Sequence, residues 1–264
     1  MSGLRILILG GLFSYRALFG WLSPWVAVPT FLVAPIAQIL LFAYLGRSAG
    51  LADDGFYVVG NALLYSAIPC VFAMGNTIGG ERQQQTLELL LATPARRTPL
   101  FLGRALPVIV NGFLVSGFAL VAGAAILHVR LPLHAAGGLV LALAVSAYSC
   151  TGIGLVTAAL ALRVRETAVL ANVVYGVLLV FCGVNVPLRD LPHWMANIAP
   201  WLPLTHGIRA AQHLLTRTGA AGAPRVSWDL AVELGVGSAY LVMGSIALRL
   251  LETESRHRAS LSTM

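Results

Sequence analysis

The chain has 264 residues, 58% of them hydrophobic and only 10% charged, with a formal charge of +7 and a mean hydropathy of +0.84. Soluble domains carry about 25% charged residues, a gap too large for a big soluble core to explain, and the long apolar runs point to lipid as the main solvent. All 17 basic residues are arginine. Without a lysine to reach the terminal phosphates of a nucleotide, the chain cannot form a P-loop.

The first stretch, 1–23, is apolar but short. Leu4, Ile8, Tyr15, Phe19 and Leu22 share a helical face, with Arg5 and Arg16 along its edge. Arg16 interrupts the apolar run and no small-residue cleavage pattern follows. An amphipathic helix lying on the cytoplasmic surface is therefore expected rather than a signal peptide.

Six longer runs follow, near Trp25–Leu45, Phe56–Ile78, Leu102–Leu127, Leu139–Leu162, Ala168–Val186 and Leu230–Leu250. Each is close to the roughly 20 residues that cross about 30 Å of hydrocarbon. The fold class expected is an all-α integral membrane protein with six transmembrane helices in 24–251 and a cytoplasmic tail in 252–264. The three cysteines, Cys70, Cys150 and Cys182, sit inside apolar segments without CxxC spacing and read as small core residues. No metal site or catalytic constellation is read anywhere in the chain.

The arginines set the orientation. With the N-terminus inside, Arg5, Arg16, Arg82, Arg96, Arg97, Arg104, Arg163, Arg165, Arg249, Arg256 and Arg258 are cytoplasmic. Arg47, Arg130, Arg189, Arg209, Arg217 and Arg225 are outside. The bias places both termini in the cytoplasm of a multi-pass protein of the cytoplasmic membrane. No basic cluster is interleaved with aromatics, so the charge reports topology and not a nucleic-acid partner.

Between the second and third runs lies GGERQQQTLELLLATPARRTP, Gly79 to Pro99. Glu81, Gln84, Gln85 and Glu88 follow helical spacing on one side, and Leu87, Leu90 and Leu91 on another. Pro94 ends this short helix, and Thr98 with Pro99 reads as the cap and first turn of the next. Between the last two runs, Pro187, Pro192, Pro200 and Pro203 forbid a single spanning helix. Two short amphipathic helices dipping back toward the membrane are expected instead. His206, Arg209 and His213 share a face there, read as a solvated face or as a contact for an anionic group. Asn172 and Asn185 are polar groups on the fifth run that must find partners or line a wet route.

The segment from Gly80 to Arg104 resembles the loop of type-2 ABC exporter permeases at Glu81, Arg82, Thr86, Leu87, Glu88, Leu89, Leu90, Leu91, Thr93 and Pro94. CGVNVP, Cys182 to Pro187, and Leu202 to His206 with Arg209 match the same family in order and spacing. The resemblance implies a cytoplasmic coupling helix that docks on a separate ATP-binding subunit through Glu81, Arg82, Gln85, Thr86, Leu87, Glu88 and Leu91. It implies an external re-entrant motif at Pro203, Leu204, Thr205, His206 and Arg209, and a translocation route near the second and fifth spans, where Asn172 and Asn185 lie. It further implies pairing with a second permease copy or paralogue. ATP and Mg would be bound by the partner subunit, with no cofactor in this chain. The cargo implied is amphipathic, drug-like or lipid-linked, moved out of the cell. The alternative class is an ion-coupled secondary transporter or an intramembrane enzyme, either of which needs an ionisable residue within the bilayer. No such residue is read at a span centre, since Glu233 and Arg249 fall near the ends of the last run, and this argues against that class.

Overall fold

Lipid offers no hydrogen bonds to a backbone, so an apolar run crosses it as a helix that satisfies its own N–H and C=O groups. The computed structural model describes residues 25, 28–50, 52–75, 97–161, 163–164, 166–216 and 223–261. Within them the helices are α1 (Pro29–Ala49) and α2 (Asp54–Ala73), then α3 (Arg97–Ile126), α4 (Ala136–Leu160) and α5 (Thr167–Phe181). Short helices α6 (His193–Ile198) and α7 (Thr205–Thr216) precede the last helix, α8 (Ala223–Leu261). The expected surface helix at 1–23 and the coupling helix, with Glu81, Arg82, Gln85, Thr86, Leu87, Glu88 and Leu91, lie outside the described residues.

Among the described residues, five helices are long and apolar enough to cross a membrane: α1, α2, Ala105–Ile126 of α3, Leu133–Leu160 ending α4, and Arg225–Leu250 of α8. The fifth predicted run differs. Its helix α5 has 15 residues, about 22 Å of rise, and stops at Phe181 instead of Val186. The cause is Gly183, whose φ of +74° takes the chain out of the helix in a conformation glycine adopts without penalty.

Other boundaries move as well, two of them at helix starts. Helix α3 begins at Arg97, so Thr98 and Pro99 lie within its first turn and Thr98 is not its cap. Helix α8 begins at Ala223, seven residues before the predicted Leu230, because Pro224 is tolerated in a first turn. That earlier start places Asp229 within the span and Glu233 more than two turns into it.

Helices α2 and α4 are innermost, with 78% and 72% of their apolar windows buried, against 22% for α1 and α8. The outward faces are themselves apolar, with Leu41 and Leu45 on α1, Val110, Leu114 and Val121 on α3, and Val242 and Ile246 on α8 exposed. That is the pattern of a surface solvated by lipid. Exposed tryptophans mark both ends of the bundle: Trp25 before α1, and Trp194, Trp201 and Trp228 at the end where α6 and α7 lie. Indole rings collect at the two membrane interfaces in this way. All three cysteines are buried free thiols, and the Cys70 thiol donates to the Ala147 carbonyl across the α2–α4 contact (3.3 Å).

The most extensive helix contact joins α4 to α8 through glycines. A Cβ on Gly152 would come within 2.6 Å of the Gly237 carbonyl oxygen, one on Gly237 within 2.7 Å of the Ser149 Cα, and one on Gly244 within 2.9 Å of the Val156 nitrogen. Small residues let helix backbones approach where lipid gives no hydrophobic drive to associate.

Gly152→Ala is therefore expected to force the two backbones apart, at a cost of about 1–3 kcal/mol. Gly137→Ala, on the same helix with nothing within 4 Å of the added carbon, is expected to be neutral or stabilising. Thermal unfolding of the two purified variants checks this: Gly152→Ala should melt several degrees lower, and Gly137→Ala should not.

Candidate functional site

The polar groups of the bundle gather where α7 enters it. Helix α7 lies among α2, α4 and α8, with Thr205, His206, Gly207, Ile208, Ala210 and Ala211 buried. Gly207 at its start abuts Ser146 of α4, while Leu214 near its end abuts Gly138. Those α4 positions are eight residues apart, about 12 Å along the helix. The N-terminus of α7 thus sits well below its C-terminus, surrounded by apolar helices.

A helix N-terminus carries N–H groups with no partner of their own, and leaving them bare at that depth is costly. Glu233 of α8, fully buried, supplies the acceptors. Its Oε1 accepts from the Leu204 N–H (2.7 Å), and its Oε2 from the N–H groups of His206 (3.1 Å) and Gly207 (3.1 Å). The carboxylate also lies at the positive end of the α7 dipole. Leu204, likewise fully buried, has φ +79°, a left-handed conformation that costs a non-glycine residue about 1–2 kcal/mol. Hydrogen bonds to a charged group contribute about 1.5–3 kcal/mol each, so the cap outweighs the strain. The hydroxyls of Ser146, Ser149 and Thr205 are buried around this point, and that of Ser146 has no partner.

One turn earlier on α8, Asp229 faces the side chains of α7. Its Oδ1 lies 3.4 Å from His206 Nδ1 and 3.8 Å from Arg209 Nη1, and its Oδ2 lies 4.0 Å from His213 Nε2. His206 Nε2 meets the Pro200 carbonyl at 3.2 Å. Both ring nitrogens thus face oxygen. The face carrying His206, Arg209 and His213, read as a solvated face or as a contact for an anionic group, is turned onto the buried carboxylate of Asp229. The earlier start of α8 is what puts Asp229 there.

A second cluster is uncharged and directional. Tyr175 on α5 donates its hydroxyl to Gln38 Oε1 on α1 (3.1 Å), and Gln38 Nε2 donates to Asn61 Oδ1 on α2 (2.9 Å). Asn61 Nδ2 donates to Asn185 Oδ1 (2.9 Å) and to the Tyr57 carbonyl (3.0 Å). The loop holding Asn185 presses on α2: a Cβ on Gly60 would come within 2.5 Å of the Val184 carbonyl oxygen. The Cys182 thiol then donates to the Pro203 carbonyl (3.2 Å), one residue before Leu204. Through 182–185 and 203–204, the amide chain and the Glu233 cap are parts of one connected structure.

Of the residues singled out in the sequence, Asn185, Pro203, Leu204, Thr205, His206 and Arg209 come together here. Asn172 does not: it is exposed on the outer face of α5 with its amide donating to Ala168 O (2.8 Å). The sequence reading missed Asp229, Gln38 and Tyr175, and placed Glu233 near the end of its span. Gln38, an amide in an otherwise apolar run, was the available signal.

No curated protein matches the chain. The family model for the ABC-2 type transporter matches residues 15–216, a range that takes in the Glu81–Pro94 segment, the CGVNVP loop and α7. With its apolar helices and buried polar junction, the chain belongs to the ABC-2 type transporter family, whose members are multi-pass membrane transport subunits that work with a separate ATP-binding subunit.

Proposed function

We propose that this chain is the permease subunit of an ATP-driven exporter, moving an amphipathic, drug-like or lipid-linked cargo outward across the cytoplasmic membrane. The family match carries the proposal. Two features of the sequence support it: there is no lysine with which to form a P-loop, and in 81–91 the spacing of Glu81, Gln84, Gln85 and Glu88 against Leu87, Leu90 and Leu91 suits a helix with a polar side for that partner and a leucine side for its own bundle. Two permeases, identical or paralogous, pair with two ATP-binding subunits. ATP closes the motors, the segment at 81–91 carries that motion into the bundle, and cargo leaves past α7, which serves as an external re-entrant helix. No residue of the permease performs chemistry. Asn185, Gln38 and Tyr175 offer neutral donors and acceptors along the route, while Asn172 faces outward from α5 toward the second permease or the cargo.

Glu233 is an ionisable group inside a span, as an ion-coupled carrier would need. Its described hydrogen bonds, however, go to the backbone of α7, which gives the carboxylate a structural use without ion coupling.

Glu81 and Glu88 are seven residues apart and share a face. An exposed pair of carboxylates would be worth about 0–1 kcal/mol, whereas carboxylates docked in a partner leave its groups unpaired when removed, costing about 2–5 kcal/mol. Glu81→Ala with Glu88→Ala is expected to leave the protein inserted and monodisperse but to weaken co-purification with its ATP-binding subunit or abolish cargo-stimulated ATP hydrolysis. Full binding with full stimulation would remove the coupling assignment.

Orientation has its own check. In intact cells an impermeant maleimide should label a cysteine placed at Ala221 and spare one placed at Ser260. The reverse pattern would invert the topology.

A further inference from the structure

The geometry points to Glu233 as a positioning residue for transport: a releasable latch that holds the N-terminus of α7 to α8 and lets go when the outer side opens. This rests on α7 being the external re-entrant helix of the proposed exporter.

Three observations converge. First, α7 is capped from another helix. A serine or threonine at its own N-cap position would satisfy one of these N–H groups locally, whereas a carboxylate on α8 takes three and makes the cap depend on where the two helices stand. All three hydrogen bonds, from Leu204, His206 and Gly207, would be lost together if α7 moved. Second, Leu204, the residue making the shortest of them, is held at φ +79°. Strain of this kind persists only where the surroundings enforce it, and it gathers at switch regions. Once released, Leu204 relaxes to an extended conformation, so the latched state carries a built-in bias toward opening. Third, the pocket is not locked: Ser146 presents a buried hydroxyl without a partner beside it. Release would be felt at the cargo route, because Pro203 holds the Cys182 thiol and Cys182 begins the loop that ends the amide chain at Asn185.

Cys182 is 1% exposed and serves as a native reporter. In a background with Cys70→Ala and Cys150→Ala, the full chain in nanodiscs is treated with a maleimide and the Cys182 rate is measured. Glu233→Gln keeps the side chain's size but replaces an acceptor oxygen with an N–H donor. It is expected to raise the rate by about tenfold. The decisive pair is Leu204→Gly and Leu204→Ala. Both remove the same side chain, but only alanine pays for the left-handed backbone, so the glycine variant should stay latched and label about fivefold to tenfold more slowly than the alanine variant. Equal or reversed rates in that pair, or a wild-type rate in Glu233→Gln, would overturn the latch. A parallel background keeping Cys70 alone detects global unfolding; if Glu233→Gln exposes Cys70 as readily as Cys182, the carboxylate is a folding element and the proposal fails. In complex with the ATP-binding subunit, ATP should raise the Cys182 rate, and no response to nucleotide would make the cap static and overturn its release. The nanodisc measurements need no ATP-binding subunit, so their outcome is separate from that of the exporter assignment.

Discussion

A helix that begins inside an apolar bundle creates a problem that water cannot solve. The first N–H groups of α7 lie beside Ser146 of α4, far from solvent, and must find acceptors there. Glu233 meets that need from α8 with both carboxylate oxygens, and much of the surrounding structure follows from it. The chain must turn sharply at Leu204 to present three N–H groups to one carboxylate. Pro203 fixes the approach to that turn, and its carbonyl is taken by Cys182. Gly207 must lack a side chain to lie against Ser146. A buried charge is tolerated because hydrogen bonds and a helix dipole surround it, where an unpaired one would be expelled or neutralised.

The two polar clusters divide the work differently. The Glu233 and Asp229 cluster is charged and joins helices that are neighbours in sequence, α7 and α8. The Tyr175, Gln38, Asn61 and Asn185 chain is neutral and joins α1, α2 and α5, parts of the chain separated by as many as 137 positions. Neutral amides cost less to hold within a bilayer than charges. They suit the face a cargo would brush, whereas the charged cap suits a contact that fixes geometry.

Hydropathy alone located most of the long helices, since a run of about 20 apolar residues has few other fates. The ends were harder. The fifth run kept its apolar character to Val186, but one glycine at positive φ ended the helix at Phe181. The last helix began seven residues early because Trp228 and Asp229 look like loop by polarity while Pro224 marks the true first turn. The site was legible in outline: Asn185, His206 and Arg209 stood out by type and spacing. Their partners did not, because the burial of Glu233 and Asp229 depends on α7 packing against α8, and a pairing such as Tyr175 with Gln38 has no local trace.

The glycine-lined contact between α4 and α8 also says where motion cannot occur. With Gly152 against the Gly237 carbonyl and Gly244 against the backbone of Val156, main chain meets main chain at these points with no side chain between. Sliding or rolling one over the other would drive main chain into main chain. The pair is therefore a stiff keel, and the degrees of freedom of the bundle belong to the helices around it. Glu233 is mounted on that keel, so any displacement of α7 is a displacement relative to the packed α4–α8 pair.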